Sequence, residues 1–315
     1  MRHCYAAYGL QLRSSFPLVG MQPSAGEDLP QLELDLVPPR AAGLTLSTAG
    51  PPMWSGLLGD GTRLTIERDT RGRTVFSNGE RAQFELERTG LRLACAPAEP
   101  GPAWQRTLLG KVLPSISVMR GYEALHAAAL QSPWGAVAIA APSGMGKTTL
   151  ALELARRGWP LISDDVLALA STYAGVLAYP GTPHMNLAHD PAGEPPRGIA
   201  RTLALLAGER WLAARRTARE PHQLRTICLL ERGPNLTLEA QTLPRSPLPL
   251  SPYMLGLPGD ETRERTRFSL YADLADSATL VRLTGEETAT PGDLADLLEH
   301  AAAPQPTATA AGAAR

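Results

Sequence analysis

Between Gly135 and Gly158 the chain reads GAVAIAAPSGMGKTTLALELARRG: an apolar run, a turn carrying two glycines, and an amphipathic stretch closed by another glycine. Few folds accept that order. Small apolar side chains in an unbroken run suit a strand buried on both faces, and the pattern after the turn suits a helix, so the segment predicts strand, loop and helix. Glycines at 144 and 146 let successive backbone N–H groups converge on an anion, and the helix N-terminus adds partial positive charge there. Lys147 then reaches outer phosphates and the Thr148 hydroxyl supplies a magnesium ligand, with Ser143, Gly144, Met145, Gly146 and Thr149 completing the cradle. The pattern is that of a phosphate-binding loop, G-x-x-x-x-G-K-[ST], except that Ala141 replaces the first glycine. Ala141 and Pro142 therefore require negative φ on the approach to the loop. The alternative is a glycine turn with an incidental lysine.

Two further features bear on chemistry. Ser163-Asp164-Asp165 closes the short apolar segment after the helix, with Asp164 17 residues and Asp165 18 residues beyond Lys147. That spacing takes the chain down one helix and back up one parallel strand, so both carboxylates return to the edge of the sheet that carries the loop. One carboxylate near magnesium orients the ion while the other accepts the proton of an attacking hydroxyl, which is the division phosphoryl transfer needs. The bland reading is an aspartate pair capping a turn. The second feature is His126. If Gln131–Trp134 forms a tight hairpin turn centred between 132 and 133, His126 falls opposite Ile139, just before the loop. A lone histidine in an apolar strand is otherwise a satisfied core residue.

The rest of the chain places these features. Its 315 residues, 43% hydrophobic, suffice for about two domains. A net charge of −1 gives no global drive toward nucleic acid or an anionic membrane. Cys4, Cys95 and Cys228 are odd in number and form no C-x-x-C pair, so they read as ordinary thiols of a reducing compartment. With neither an h-region nor a membrane-length apolar run, the expected location is cytoplasmic.

Residues 1–103 read as a β-rich domain of hairpins, with strand patterns at Tyr5–Leu12, Leu32–Val37, Arg63–Arg68, Arg73–Ser77 and Gln83–Ala94, and Trp54 as a core residue. The turn-rich CAPAEPGP at 95–102 marks a boundary, and residues 104–300 form the nucleotide-binding domain. There, Trp104–Met119 has helical spacing that Pro114 should break or restart, Val166–Ala170 and Tyr173–Tyr179 read as strands, and PGTPHMNLAHDPAGEPPRG reads as a lid or surface loop. Ile199–Arg219 reads as a helix with Arg215 and Arg216 on a solvated face, Ile227–Leu230 and Leu236–Leu238 as strands, and Pro291–Ala301 as a last helix. The low-complexity tail at 301–315 reads as disordered.

His126 lying 21 residues before Lys147, APSGMGKTTLALELARRG, and the LISDD that follows resemble the catalytic half of bacterial HPr serine kinase/phosphorylase, and still more its shorter HPr-kinase-like relatives. YAAYGLQL and LHAAAL resemble those relatives too, so the likeness is strong over Leu125–Asp165 and weak over the whole chain. It implies an α/β fold with a nucleotide core of the HPr kinase/phosphoenolpyruvate carboxykinase type beside an N-terminal β-rich domain. It also implies ATP with Mg2+, and phosphorylation of a serine on a protein or peptide. By position it implies that Lys147 and Thr148 hold phosphate and magnesium, that Asp164 is the general base, that Asp165 helps with the metal, and that His126 is the active-site histidine. Ala127 stands where the full-length family has glycine after its histidine, and no second, glutamate-containing signature follows the aspartate pair, departures that weaken the implication of HPr as acceptor and of a reverse, phosphorylase activity. Shorter relatives accompany enzymes that tailor ribosomally made peptides, lasso peptides included, which points to a precursor-peptide serine. Nucleic acid and membrane are not expected partners, and a homo-oligomer is compatible with the reading. Beside the serine kinase stand a P-loop hydrolase or switch, and a non-catalytic module that binds nucleotide and peptide.

Overall fold

Tyr8 and Gly9 both have left-handed φ, 55° and 74°, which makes the two-residue reversal between β1 (His3–Ala7) and β2 (Leu10–Ser14). The expected single strand Tyr5–Leu12 is thus a hairpin, with Ala7 opposite Leu10. The structure is a computed structural model, and it describes residues 2–24, 29–39, 50–58, 61–79, 81–188, 200–206, 209–246, 248–255 and 261–304.

The first sheet continues through β3 (Gln31–Leu36), β4 (Trp54–Leu57), β5 (Arg63–Arg68), β6 (Thr74–Asn78), β7 (Ala82–Leu86) and β8 (Arg92–Pro97), in the order β1-β2-β3-β8-β7-β6-β5-β4. It is not a run of hairpins alone, because β2 with β3 and β3 with β8 pair parallel. The single strand expected at Gln83–Ala94 is likewise two strands. Gly90, at φ 73°, reverses the chain between them by donating its N–H to the Glu87 carbonyl at 2.8 Å.

The helical segment after residue 102 packs on this sheet: Trp104, Leu108, Val112 and Ile116 share one core with Leu12, Leu34, Phe76 and Phe84. It runs as α1 (Ala103–Thr107), a π-helical turn at Leu108–Val112, and α2 (Leu113–Met119). Pro114 does not end the helix. It lies at the start of α2, just after the wide turn, where its missing N–H and its ring are accommodated.

Next come β9 (Glu123–Leu125), β10 (Ala127–Ser132), β11 (Gly135–Ala140), α3 (Lys147–Arg156), β12 (Leu161–Ser163), β13 (Leu167–Thr172) and β14 (Gly175–Tyr179). They join a second sheet of order β12-β10-β11-β18-β14-β13-β9, whose centre is the long β18 (His222–Arg232). β11 pairs parallel with β18, and β10 is antiparallel to both β11 and β12. β12 therefore runs in the direction of β11, as the spacing of the aspartates required, although β10 lies between them. Alternation along β10 and β11 splits the core in two. Ala128, Leu130, Val137 and Ile139 meet Leu150 and Leu154 of α3, while Ala127, Ala129, Ala136 and Ala138 share the opposite face with Leu270 and Leu274. Each such buried leucine or isoleucine contributes about 1.5–3 kcal/mol, so two of them outweigh the strain of one left-handed residue in a neighbouring loop.

β15 (His184–Ala188), β16 (Ala200–Leu206) and β17 (Glu209–Ala214) form a third, three-stranded sheet. The expected helix over Ile199–Arg219 is corrected here: alanine, leucine and arginine favour helices in isolation, and pairing of β17 with β15 and β16 overrides that preference. Arg215 and Arg216 are exposed, as read. The stretch read as one long loop contains β15, and its residues 189–198 lie outside the described ones. β19 (Glu239–Thr242) begins just after the strand expected at Leu236–Leu238. α4 (Glu261–Ser277) and β20 (Thr279–Gly285) were not read from the sequence, and α5 (Pro291–Ala302) matches its expected span. The tail reading falls almost wholly outside the described residues. The fold is mixed α/β with several sheets.

Candidate active site

α3 starts directly after Gly146, which has a left-handed φ of 91°, and Gly144 makes the preceding reversal at φ 84°. A Cβ at residue 144 meets nothing within 4 Å, so conformation rather than space requires glycine there. No side chain caps the N-terminus of α3, leaving its first N–H groups for an anion. Ala141 and Pro142 have no positive φ, as expected.

The two residues that open α3 point into different partnerships. The ammonium of Lys147, buried at 8% exposure, stands 2.7 Å from Nε2 of His126. An ammonium has donors only, so Nε2 accepts and the imidazole proton sits on Nδ1. Nδ1–H faces the Asp165 backbone carbonyl at 2.9 Å and Asp165 Oδ1 at 3.2 Å. The other carboxylate oxygen of Asp165 accepts from Lys111 Nζ at 2.8 Å. Thr148, by contrast, turns its hydroxyl to Asp164, 3.2 Å from Oδ1 and 3.3 Å from Oδ2, and the backbone N–H of Asn186 in β15 donates to Asp164 Oδ2 at 3.0 Å.

The hairpin that delivers His126 has a register two residues from the expected one. Its loop is Pro133-Trp134 with Ser132 opposite Gly135, so Ala128 rather than His126 faces Ile139. A shift of two residues preserves the face, and His126 lands just beyond the paired strand with its backbone N–H on the Tyr253 carbonyl at 2.6 Å.

Adjacent carboxylates so differently surrounded ionise differently. Burial, with the neighbouring Asp165 charge, raises the Asp164 pKa to about 6. Burial alone would raise Asp165 too, but Lys111, His126 and Lys147 outweigh it and hold that carboxyl well below the usual range. Burial lowers the pKa of both His126 and Lys147; Asp165 partly offsets this for His126, and both aspartates do for Lys147. Asp165 also has a left-handed φ of 70°, a conformation shared among the described non-glycine residues only with Tyr8.

The structure thus brings Lys147, His126 and Asp165 together, and separately Thr148 with Asp164. It does not bring Thr148 to Asp165, the pair that the resemblance implied for the metal. Ser143, Gly144, Gly146 and Thr149 line the same cavity, of about 1050 Å³, while Met145 is partly buried against the core beneath. Two contributors went unread: Asn186, which falls in the supposed loop, and Lys111. For Lys111 the sequence held a usable signal, since Lys111 and Lys147 are the chain's two lysines among 30 basic residues.

Oxygen donors in a buried position suit magnesium. The Thr148 hydroxyl and Asp164 converge within hydrogen-bond distance, and among the described residues no cationic side chain forms an ion pair with the buried Asp164 carboxylate. Among the described residues no cluster of three or more His, Cys, Asp or Glu side chains forms a complete metal cage. The pair therefore fits an ion that takes its remaining ligands from phosphate and water. No described helix is long and apolar enough to cross a membrane. Cys4, Cys95 and Cys228 are free thiols.

No known family model and no curated protein sequence matches the chain. A structure of the Hpr(Ser) kinase/phosphatase from Coxiella burnetii resembles it over 56% of this chain and 91% of that one, at 14% identity and a TM-score of 0.30. A likeness that distant carries no weight for what this chain binds or does.

Proposed function

We propose that this chain is an ATP-dependent serine kinase that moves the γ-phosphoryl group of ATP onto a serine hydroxyl of a protein or peptide partner, with no nucleic acid or membrane involved. One observation carries the reading: a glycine loop and uncapped helix N-terminus, two ammonium groups, an imidazole and two unlike carboxylates meet along one cavity. A structural ion-pair network needs no anion cradle beside it, whereas phosphoryl transfer needs both.

The backbone of residues 143–148 and the ammonium of Lys147 hold the β- and γ-phosphates. Thr148 and Asp164 would hold magnesium, which when bound offsets charge on the phosphate oxygens. Asp165, kept in place by His126, receives the acceptor. The serine oxygen forms its bond to the γ-phosphorus, the bond from that phosphorus to the β–γ bridging oxygen breaks, ADP leaves, and the serine proton passes to the Asp165 carboxylate. So acidic a carboxylate acts mainly as a hydrogen-bond acceptor, which suits a loose transition state that demands little early proton transfer. The arrangement favours exchanging the roles implied by the resemblance: Asp164 serves the ion, and Asp165 the hydroxyl. A ribosomal precursor peptide in the cytoplasm fits this reading as the phosphoryl acceptor.

Incubation with γ-labelled Mg·ATP and candidate serine peptides tests the function. Phosphopeptide supports the kinase, free phosphate alone the hydrolase, and ATP binding without either product a non-catalytic module. Asp165→Asn should keep nucleotide affinity and lose about 10²- to 10⁴-fold in transfer, whereas Asp164→Asn should lose the magnesium dependence of ATP binding. The opposite pair of results returns Asp164 to the base and Asp165 to the metal.

A further inference from the structure

Lys111 is the one side chain among the described residues that reaches the aspartate pair from the segment packed on the N-terminal sheet. It sits in the π-helical turn Leu108–Val112, an arrangement that recurs at functional sites, and its flanking residues Leu109 and Val112 are buried in that sheet's core. Its ammonium stands 2.8 Å from Asp165 Oδ2, while Nδ1 of His126 meets the Asp165 backbone carbonyl at 2.9 Å and passes Oδ1 at 3.2 Å, so the lysine fixes the carboxylate and the histidine fixes the backbone beneath it. The grip is needed where it is. Asp165 follows another carboxylate directly, and its backbone is in a left-handed conformation that costs a non-glycine residue energy. Composition points the same way: 28 of the 30 basic residues are arginine, and both lysines lie on this cavity. A lysine offers a single point of charge, which meets one carboxylate oxygen and leaves the other beside His126.

We propose that Lys111 is a positioning residue for phosphoryl transfer, acting through Asp165, by which the segment anchored on the N-terminal sheet completes the active site. The inference rests on the kinase reading above. Lys111 does not hold the nucleotide in this scheme; it keeps Asp165 aimed at the acceptor oxygen while that oxygen bonds to the γ-phosphorus and its proton passes to the carboxylate.

The probe is γ-labelled Mg·ATP, with water and then serine peptides as acceptors, so the natural substrate need not be known. Lys111→Met should leave the KM for ATP within about 2-fold and lower kcat by about 10²-fold, the loss typical of a misplaced group. Lys111→Arg should recover part of kcat, and thermal unfolding of both variants should match wild type closely enough to show that they fold. Lys111→Met in an Asp165→Asn background should add nothing further, because the lysine acts only through that carboxylate. An unchanged kcat, a loss carried by KM, or additive losses in the double variant overturns the assignment. A wild type that binds Mg·ATP and labels no serine peptide, whether or not it releases free phosphate, overturns the kinase reading itself, and Lys111's role in transfer to serine with it.

Discussion

The ammonium of Lys147 lies 2.7 Å from Nε2 of His126, across 21 residues of chain, and this contact fixes which hydrogen bonds both groups can make. It sets the tautomer of the imidazole, directs Nδ1–H to Asp165, and gives a buried ammonium an acceptor until a phosphate replaces it. Lys147 links the phosphate cradle to the acceptor side.

If so, Lys147→Met should weaken ATP binding by about 10- to 100-fold, the value of a charge-assisted contact. Isothermal calorimetry reads this directly, and undiminished affinity in the variant would reject the phosphate loop.

Because the chain has two lysines, both on the cavity, an ATP analogue that acylates amines beside its phosphates should mark Lys147 or Lys111, apart from the chain's N-terminal amine. Peptide mass spectrometry with and without excess ATP checks it. Acylation that ATP does not suppress would place the nucleotide elsewhere.

Asp164 links pH to stability. Its folded pKa, about 6, lies above the unfolded value near 3.9, so its contribution favours folding fully below the unfolded value and is lost as pH rises through about 6. Asp164→Asn should therefore raise the stability of the nucleotide-free protein at pH 7.5 by on the order of 2 kcal/mol, with the gain shrinking toward pH 5. Thermal unfolding across that range measures it; a pH-independent change, or a loss, contradicts the assigned environment. In the wild type, magnesium-dependent ATP affinity should fall as pH drops below about 6, where the carboxylate takes up its proton.

Glu123, at 2% side-chain exposure in β9, faces the guanidinium groups of Arg263 and Arg267 on α4 at 3.5 and 3.3 Å. Removing the carboxylate leaves two mostly buried cations without it, and Glu123→Ala should destabilise the fold by about 3 kcal/mol. Urea unfolding tests this, and a change below 1 kcal/mol would mean that solvent reaches the cluster.

Gly144 has an open Cβ position and a φ of 84°, so Gly144→Ala meets no clash and acts through backbone strain alone. The expected result is a loss of about 1–2 kcal/mol in stability or phosphate affinity. Wild-type ATP binding and unfolding in this variant would show that the loop does not need its left-handed turn.

What could be read along the chain was whatever neighbours in sequence decide. The apolar run of β11, the glycines that permit positive φ at 144 and 146, the start of α3 and the Thr290–Asp293 capping box that opens α5 are local physics, written within a few residues of each other. The return of Asp164 and Asp165 to the loop's end was legible because helix and strand lengths are regular. Which carboxylate meets Thr148 was not, because consecutive side chains diverge and the left-handed turn at Asp165 is held by His126 and Lys111, 39 and 54 residues away. Strands over 200–206 and 209–214 were hidden for the same reason: their alanines, leucines and arginines prefer helix, and only pairing within the third sheet makes them extended. Short-range sterics and hydrogen bonding made the cradle; packing across long loops chose its partners.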